Sequence, residues 1–164
     1  ISMQPAEILA TYIHIQCKRN QSKTGINQNL DPMFIQNTQN VYQDMKQLIS
    51  KLCDKFRLQK KQIFQCIRLL EKYCKNKEVS LVFNNYYRLL ITAVNILNKY
   101  YNDKYLWLNS VSQLTQIPVE VLQTAEIHFS VSVDFDLYYA DQLYQSDVGK
   151  IEAFIEKYFP ILQV

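Results

Sequence analysis

The longest unbroken apolar pattern in the chain lies at about residues 84 to 101. After Arg88 ten residues pass without a charge, through Leu89, Leu90, Ile91, Ala93, Val94, Ile96 and Leu97, before Lys99 appears between Asn98 and the tyrosines Tyr100 and Tyr101. A helix that is apolar on nearly every side belongs at the centre of a bundle, covered by its neighbours. Other segments carry narrower stripes. Val41, Met45, Leu48, Leu52 and Phe56 fall three or four apart, which predicts a one-faced helix. Ile63, Cys66, Ile67, Leu70 and Tyr73 repeat that spacing, with Phe64 and Leu69 widening the face.

Shorter helices are expected at 6–17, with Ile8, Leu9, Tyr12, Ile13 and Ile15 as apolar positions, and at 106–114, with Trp107, Val111 and Leu114. In the stretch 117–137, Pro118 suits a helix start because it lacks an N–H that would otherwise be unpaired. Glu120 complements the positive helix end, and Val119, Leu122, Ala125, Ile127, Phe129 and Val133 keep a helical rhythm. Within it "HFSVSVDF" alternates with period two and also reads as a strand, but no partner strand is visible. A last helix is expected at 147–159, with Val148, Ile151, Phe154, Ile155 and Tyr158, ended by Pro160. The reading is all-α: five core helices with additional N- and C-terminal helices. Two glycines and four prolines supply too few turns for a β-rich fold.

Residues 18–32, "KRNQSKTGINQNLDP", are polar and hold Gly25 and Pro32, so they read as a linker. At 164 residues one domain is the economical reading. It divides into a helix and linker at 1–40, a core at 41–137 and a helical extension at 138–164.

Charge and chemistry narrow the function. A net charge of +3 with scattered lysines is no nucleic-acid footprint. No apolar run approaches the roughly 20 residues of a membrane span, and the first residues lack the layout of a signal peptide. Cys17, Cys53, Cys66 and Cys74 form no C-x-x-C pair, and His14 and His128 have no ligand-like spacing to them. Reduced cysteines used as small hydrophobes are expected, hence an intracellular protein of nucleus or cytoplasm. Neither a metal nor any other cofactor is expected. Two isolated glycines exclude a phosphate-cradling loop. His128, between Ile127 and Phe129, reads as a neutral imidazole in an apolar helix. Asp134/Asp136 close a helix, and Glu152/Glu156 lie on a solvated face. The chain therefore leans toward a binding module rather than an enzyme.

At residues 66–137 the chain resembles a cyclin box, of the single-box P/U type related to phosphate-regulatory cyclins. "CIRLLEKYCKN" is similar to the family's second helix with its "YLDRY"-like run, and "YRLLITAVNILNKYYND" resembles "HRLLITAVLLAAKFLDD". "IPVEVLQTAEIHFSVSVDFDL" resembles the fifth helix, with Leu122, Glu126, Val133, Phe135 and Leu137 in register. Residues 41–65 fit the first helix more loosely. The family's "HR" is Tyr87-Arg88, its Asp-Arg is Glu71-Lys72, its "KVGGI" is "QLTQI" without the glycines, and an apolar position one turn after the glutamate is Ser130.

The resemblance implies five helices around a central mast, and a regulatory subunit that binds and allosterically activates a cyclin-dependent serine/threonine kinase. The family's lysine at the end of the third helix and glutamate in the fifth, which hydrogen-bond to kinase backbone, fall on Lys99 and Glu126. Apolar contacts fall on Tyr100, Phe135 and Leu137, and Ser130 lies on the same partner surface. Tyr86, Tyr100, Tyr101, Tyr105 and Trp107 are candidate anchors. A plainer account stays open, in which Lys99 complements the helix dipole and Glu126 is its intramolecular salt bridge. So do a structural cyclin-fold subunit of a larger assembly and, further off, a nucleic-acid-contacting cyclin-like domain. Residues 1–40 are expected to brace the first box helix or wrap the partner.

Overall fold

The computed structural model describes residues 3–21 and 32–163. Seven α-helices occur among them: α1 (Pro5–Gln21), α2 (Tyr42–Lys55), α3 (Lys60–Lys77), α4 (Tyr86–Tyr101), α5 (Leu108–Thr115), α6 (Val119–Ser132) and α7 (Asp141–Tyr158). Short 3-10 turns span Pro32–Phe34 and Phe159–Gln163. No strand occurs among the described residues, so "HFSVSVDF" is helix and turn. Most of the 18–32 linker reading falls outside the described residues. α1 runs four residues past the expected end, and α7 starts at Asp141 rather than 147. The earlier start has a physical cause: Asp141 receives the Lys61 ammonium at 2.7 Å and lies in the first helical turn, where a carboxylate suits the exposed N–H groups.

α4 is the mast. From Tyr86 to Asn98 only Arg88 is not buried. α3 and α6 flank it, and the Pro32–Phe34 turn covers a further side. Between α3 and α6, Tyr73 and Phe129 stack with centroids 4.9 Å apart, and Phe34 meets Tyr73 edge-on at 5.4 Å. Arg88 stitches the segment after that turn to the mast, donating to Gln36 Oε1 at 2.7 Å and to the Met33 carbonyl at 3.0 Å. The Tyr86 hydroxyl donates to the Gln39 carbonyl at 2.6 Å.

Tyr87, where the family motif has histidine, donates from its hydroxyl to the Thr115 carbonyl at the end of α5. The next residue, Gln116, adopts φ 63. Glutamine thus takes the left-handed backbone that a glycine would adopt at no steric cost. The lost glycines leave the turn intact at the expense of local strain.

α7 is held to α3 by charge. Arg68 meets both oxygens of the buried Asp147 at 3.1 Å, and the Tyr139 hydroxyl donates to the same carboxylate at 2.6 Å. Lys72 approaches Asp136 at 3.8 Å. α1 lies against α2, the first box helix: Thr11 and Tyr42 share a hydroxyl hydrogen bond of 2.7 Å, and His14 Nδ1 lies 3.1 Å from Met45 Sδ.

His14 is fully enclosed, between Tyr42 and Phe83. Burial, with a smaller push from Lys18, lowers its pKa from 6.5 to about 4. The unfolded chain therefore binds the proton more readily between those values, so His14 adds stability fully above about pH 6.5 and loses it as pH falls through about 4. Thermal melts from pH 7 down to pH 4 should show a steeper decline for the native chain than for His14→Leu. Parallel declines would remove His14 as a source of acid lability.

Candidate functional site

At the C-terminal end of α4 the mast reaches the surface, and here its first charge since Arg88 emerges. Lys99 Nζ donates to Glu126 of α6 at 2.8 Å (Oε2) and 3.1 Å (Oε1). The two side chains are 28% and 24% exposed, so the couple is ordered by its surroundings yet open on one side. Asn95, one turn earlier and fully buried, donates from Nδ2 to Glu126 Oε2 at 3.2 Å. The Tyr105 ring lies 5.9 Å from the Lys99 ammonium, within reach of the attraction of an aromatic face for a cation.

Exposed aromatic side chains follow both members of the couple along the chain. On the α4 side Tyr100 is 51% exposed and meets Tyr101 edge-on at 4.9 Å, and Tyr105 and Trp107 are exposed in the connection that follows. Beyond the end of α6, Phe135 is 66% exposed. It stands there because Asp134 and Phe135 adopt φ 58 and 52 in succession. The Phe135 N–H then donates to the Ser130 carbonyl at 2.8 Å and the Asp134 N–H to the Val131 carbonyl at 3.0 Å. Left-handed conformations at two non-glycine residues cost on the order of 1 kcal/mol each. Such outliers cluster at functional sites, and here the strain presents an aromatic ring to solvent.

Gln65 of α3 ties these two regions together. Its Oε1 accepts from the Tyr101 hydroxyl at 2.5 Å and its Nε2 donates to the Leu137 carbonyl at 2.6 Å, while the side chain is buried. A buried amide with both ends satisfied fixes geometry as well as adding stability.

Lys99 and Glu126 are thus brought together as the sequence suggested, with Tyr100 beside Lys99 and Phe135 displayed after α6. Leu137 is half-buried, with its side chain against the core and its carbonyl held by Gln65. Ser130 is half-buried, and its main chain anchors Phe135. Tyr86 is corrected: it is fully buried with its hydroxyl on Gln39, and so is no partner anchor. Asn95, Gln65 and the exposed Val131 and Tyr138 escaped the sequence reading, and Ile127, read there as one of the apolar helical positions, is exposed. The two amides had a signal, since each interrupts an otherwise apolar run.

The described residues thus form an all-helical body with a half-open ion pair at the end of its central helix and exposed aromatics on the adjoining segments. The family model for cyclins matches residues 33–137, more than half of the chain. The chain belongs to the cyclin family, whose members are regulatory rather than catalytic. The match begins at 33, so it takes in the turn and the segment that Arg88 and Tyr86 bind. No curated protein matches the chain.

Replacing Gln65 by Leu removes both hydrogen bonds while keeping the volume similar. Stability should fall by about 1–3 kcal/mol in urea unfolding, and amide exchange at 134–138 should quicken. An unaltered midpoint with unaltered exchange would show that the bridge holds nothing.

Proposed function

We propose that this chain is the regulatory subunit of a cyclin-dependent serine/threonine kinase, binding it through the Lys99–Glu126 rim and activating it allosterically. The observation that carries this reading is the couple itself, half-open and preformed at the end of a buried helix. The three donors of the Lys99 ammonium suit the exposed carbonyls of a partner's main chain. Glu126 holds the lysine before binding and accepts from a backbone N–H afterwards. Tyr100, Phe135 and the edge of Leu137 supply apolar contact around the polar centre, and Ser130 makes that surface more polar than the family motif. The P/U-type likeness of residues 66–137 favours a kinase of the kind that phosphate-regulatory cyclins serve.

Activation is a population shift. A kinase alone samples states with its regulatory helix out, and a surface that binds the helix-in state better draws the ensemble toward it. Moving such an equilibrium from 1:99 to 99:1 takes about 5.5 kcal/mol of differential affinity. An interface on the order of 1,600 Å² reaches this when a few aromatics act as anchors. Tyr100, Tyr105, Trp107 and Phe135 are exposed and suited to it. The four cysteines are free thiols, in keeping with a reducing intracellular setting, nucleus or cytoplasm.

A second reading is a structural cyclin-fold subunit of a larger assembly. Ile127 and Val131, one turn apart on α6 and 67% and 56% exposed, favour it, because they offer apolar surface in addition to the couple and its aromatics.

Co-expression with a set of cyclin-dependent kinases separates the two. One kinase should co-purify and gain activity. Truncating either member of a couple desolvated by the partner should weaken binding by about 2–5 kcal/mol, and Lys99→Glu should abolish co-purification. Recovery of a stable complex lacking any kinase would favour the scaffold, and kinase binding indifferent to Lys99→Glu would refute the proposed rim.

A further inference from the structure

Two asparagines in the last turns of the mast, Asn95 and Asn98, are at odds with the apolar helix around them. Asn95 is 1% exposed and Asn98 4%. Each keeps one buried polar atom without a hydrogen-bond partner among the described residues, Oδ1 of Asn95 and Nδ2 of Asn98. Asn98 uses its other end on a neighbour in its own chain turn, accepting from Asn102 Nδ2 at 2.9 Å. Asn95 uses its other end on Glu126.

An unpaired buried amide oxygen is costly, and an apolar residue of similar size avoids the cost. The unpaired oxygen offsets what the amide at 95 adds to the free fold; among the described residues its one side-chain hydrogen bond is to the carboxylate that holds Lys99. From this we infer that Asn95 is a positioning residue for the partner site, holding Glu126 in place while Lys99 turns from it to the partner's main chain. The inference rests on the kinase-binding reading of the rim. When Lys99 leaves, a lone carboxylate in a closing interface loses its only cation at hydrogen-bond distance among the described residues. The Asn95 N–H then remains as the donor from its own chain, beside the partner's backbone N–H, and a hydrogen bond to an ionised oxygen is among the strong ones.

The role predicts stability and binding to move in opposite directions, which a merely structural residue would not do. Asn95→Leu should melt no lower than the native chain. In the free chain, the Glu126 side chain should lose order in that variant, read by carbon-13 relaxation at its Cγ and Cδ. Affinity for whichever cyclin-dependent kinase co-purifies with the native chain should fall about tenfold or more. Asn95→Ala, which removes the amide without adding bulk, should reproduce the loss of order and of affinity if Leu strains the helix. A Glu126 side chain equally ordered in both variants would overturn the inference, and so would unchanged affinity. Should no kinase bind the native chain, the functional reading falls, and the order of Glu126 alone decides whether Asn95 positions it.

Discussion

The structure turns on how one ammonium leaves an apolar core. Lys99 is the first charge after ten uncharged residues of α4, and it emerges where the mast meets Glu126 of α6. Partly exposed ion pairs of this kind are worth under about 1 kcal/mol to a folded chain. In the proposed interface, removing one member of the pair would cost several times more, because it leaves an unpaired charge in a desolvated contact. The couple is thus a weak fastener for the fold, and its proposed weight lies in the interface. The helix packing supports its geometry: α3, α6 and the Pro32–Phe34 turn enclose α4 and fix where its last turn points.

The same division shows in the surrounding residues. Phe135 is displayed by two successive left-handed residues, and Asn95 has an interior amide oxygen with no hydrogen-bond partner among the described residues. Each lowers stability locally; Asn95 touches the couple itself, and Phe135 lies on the turn that follows the helix carrying Glu126. Elsewhere Arg57, Glu78 and Gln116 also take left-handed backbone, but the side-chain networks are closed. Arg68, Asp147 and Tyr139 form a closed network that docks α7, and Arg88 spends its donors on the segment at 33–36.

Much of the fold was legible because burial and periodicity coincide. The stripe Ile63, Cys66, Ile67, Leu70 and Tyr73 is buried throughout, and α4 is enclosed as its composition implied. Periodicity failed at helix ends, where local capping decides. Val41 fits the α2 stripe but precedes the helix and is 56% exposed, and Trp107 precedes α5 at 79%. Ile127 keeps the rhythm of α6 yet faces solvent, since Leu122, Ala125 and Phe129 already fill the inner face. At the site, the charged members were visible through the family motif. The amides Asn95 and Gln65 were not, because their roles depend on partners 31 and 72 residues away. Tyr86 misled for a related reason: a tyrosine near a motif looks like an anchor until its hydroxyl is seen to find an interior carbonyl.

The central claim is that one rim, made from the end of α4 and from α6 with the turn after it, receives the partner. Hydrogen exchange of the backbone amides, compared between the free chain and its complex with the co-purified kinase, tests this most directly. The account predicts slowed exchange at 99–107 and 126–138 in the complex. A complex in which both segments exchange as fast as in the free chain would contradict it.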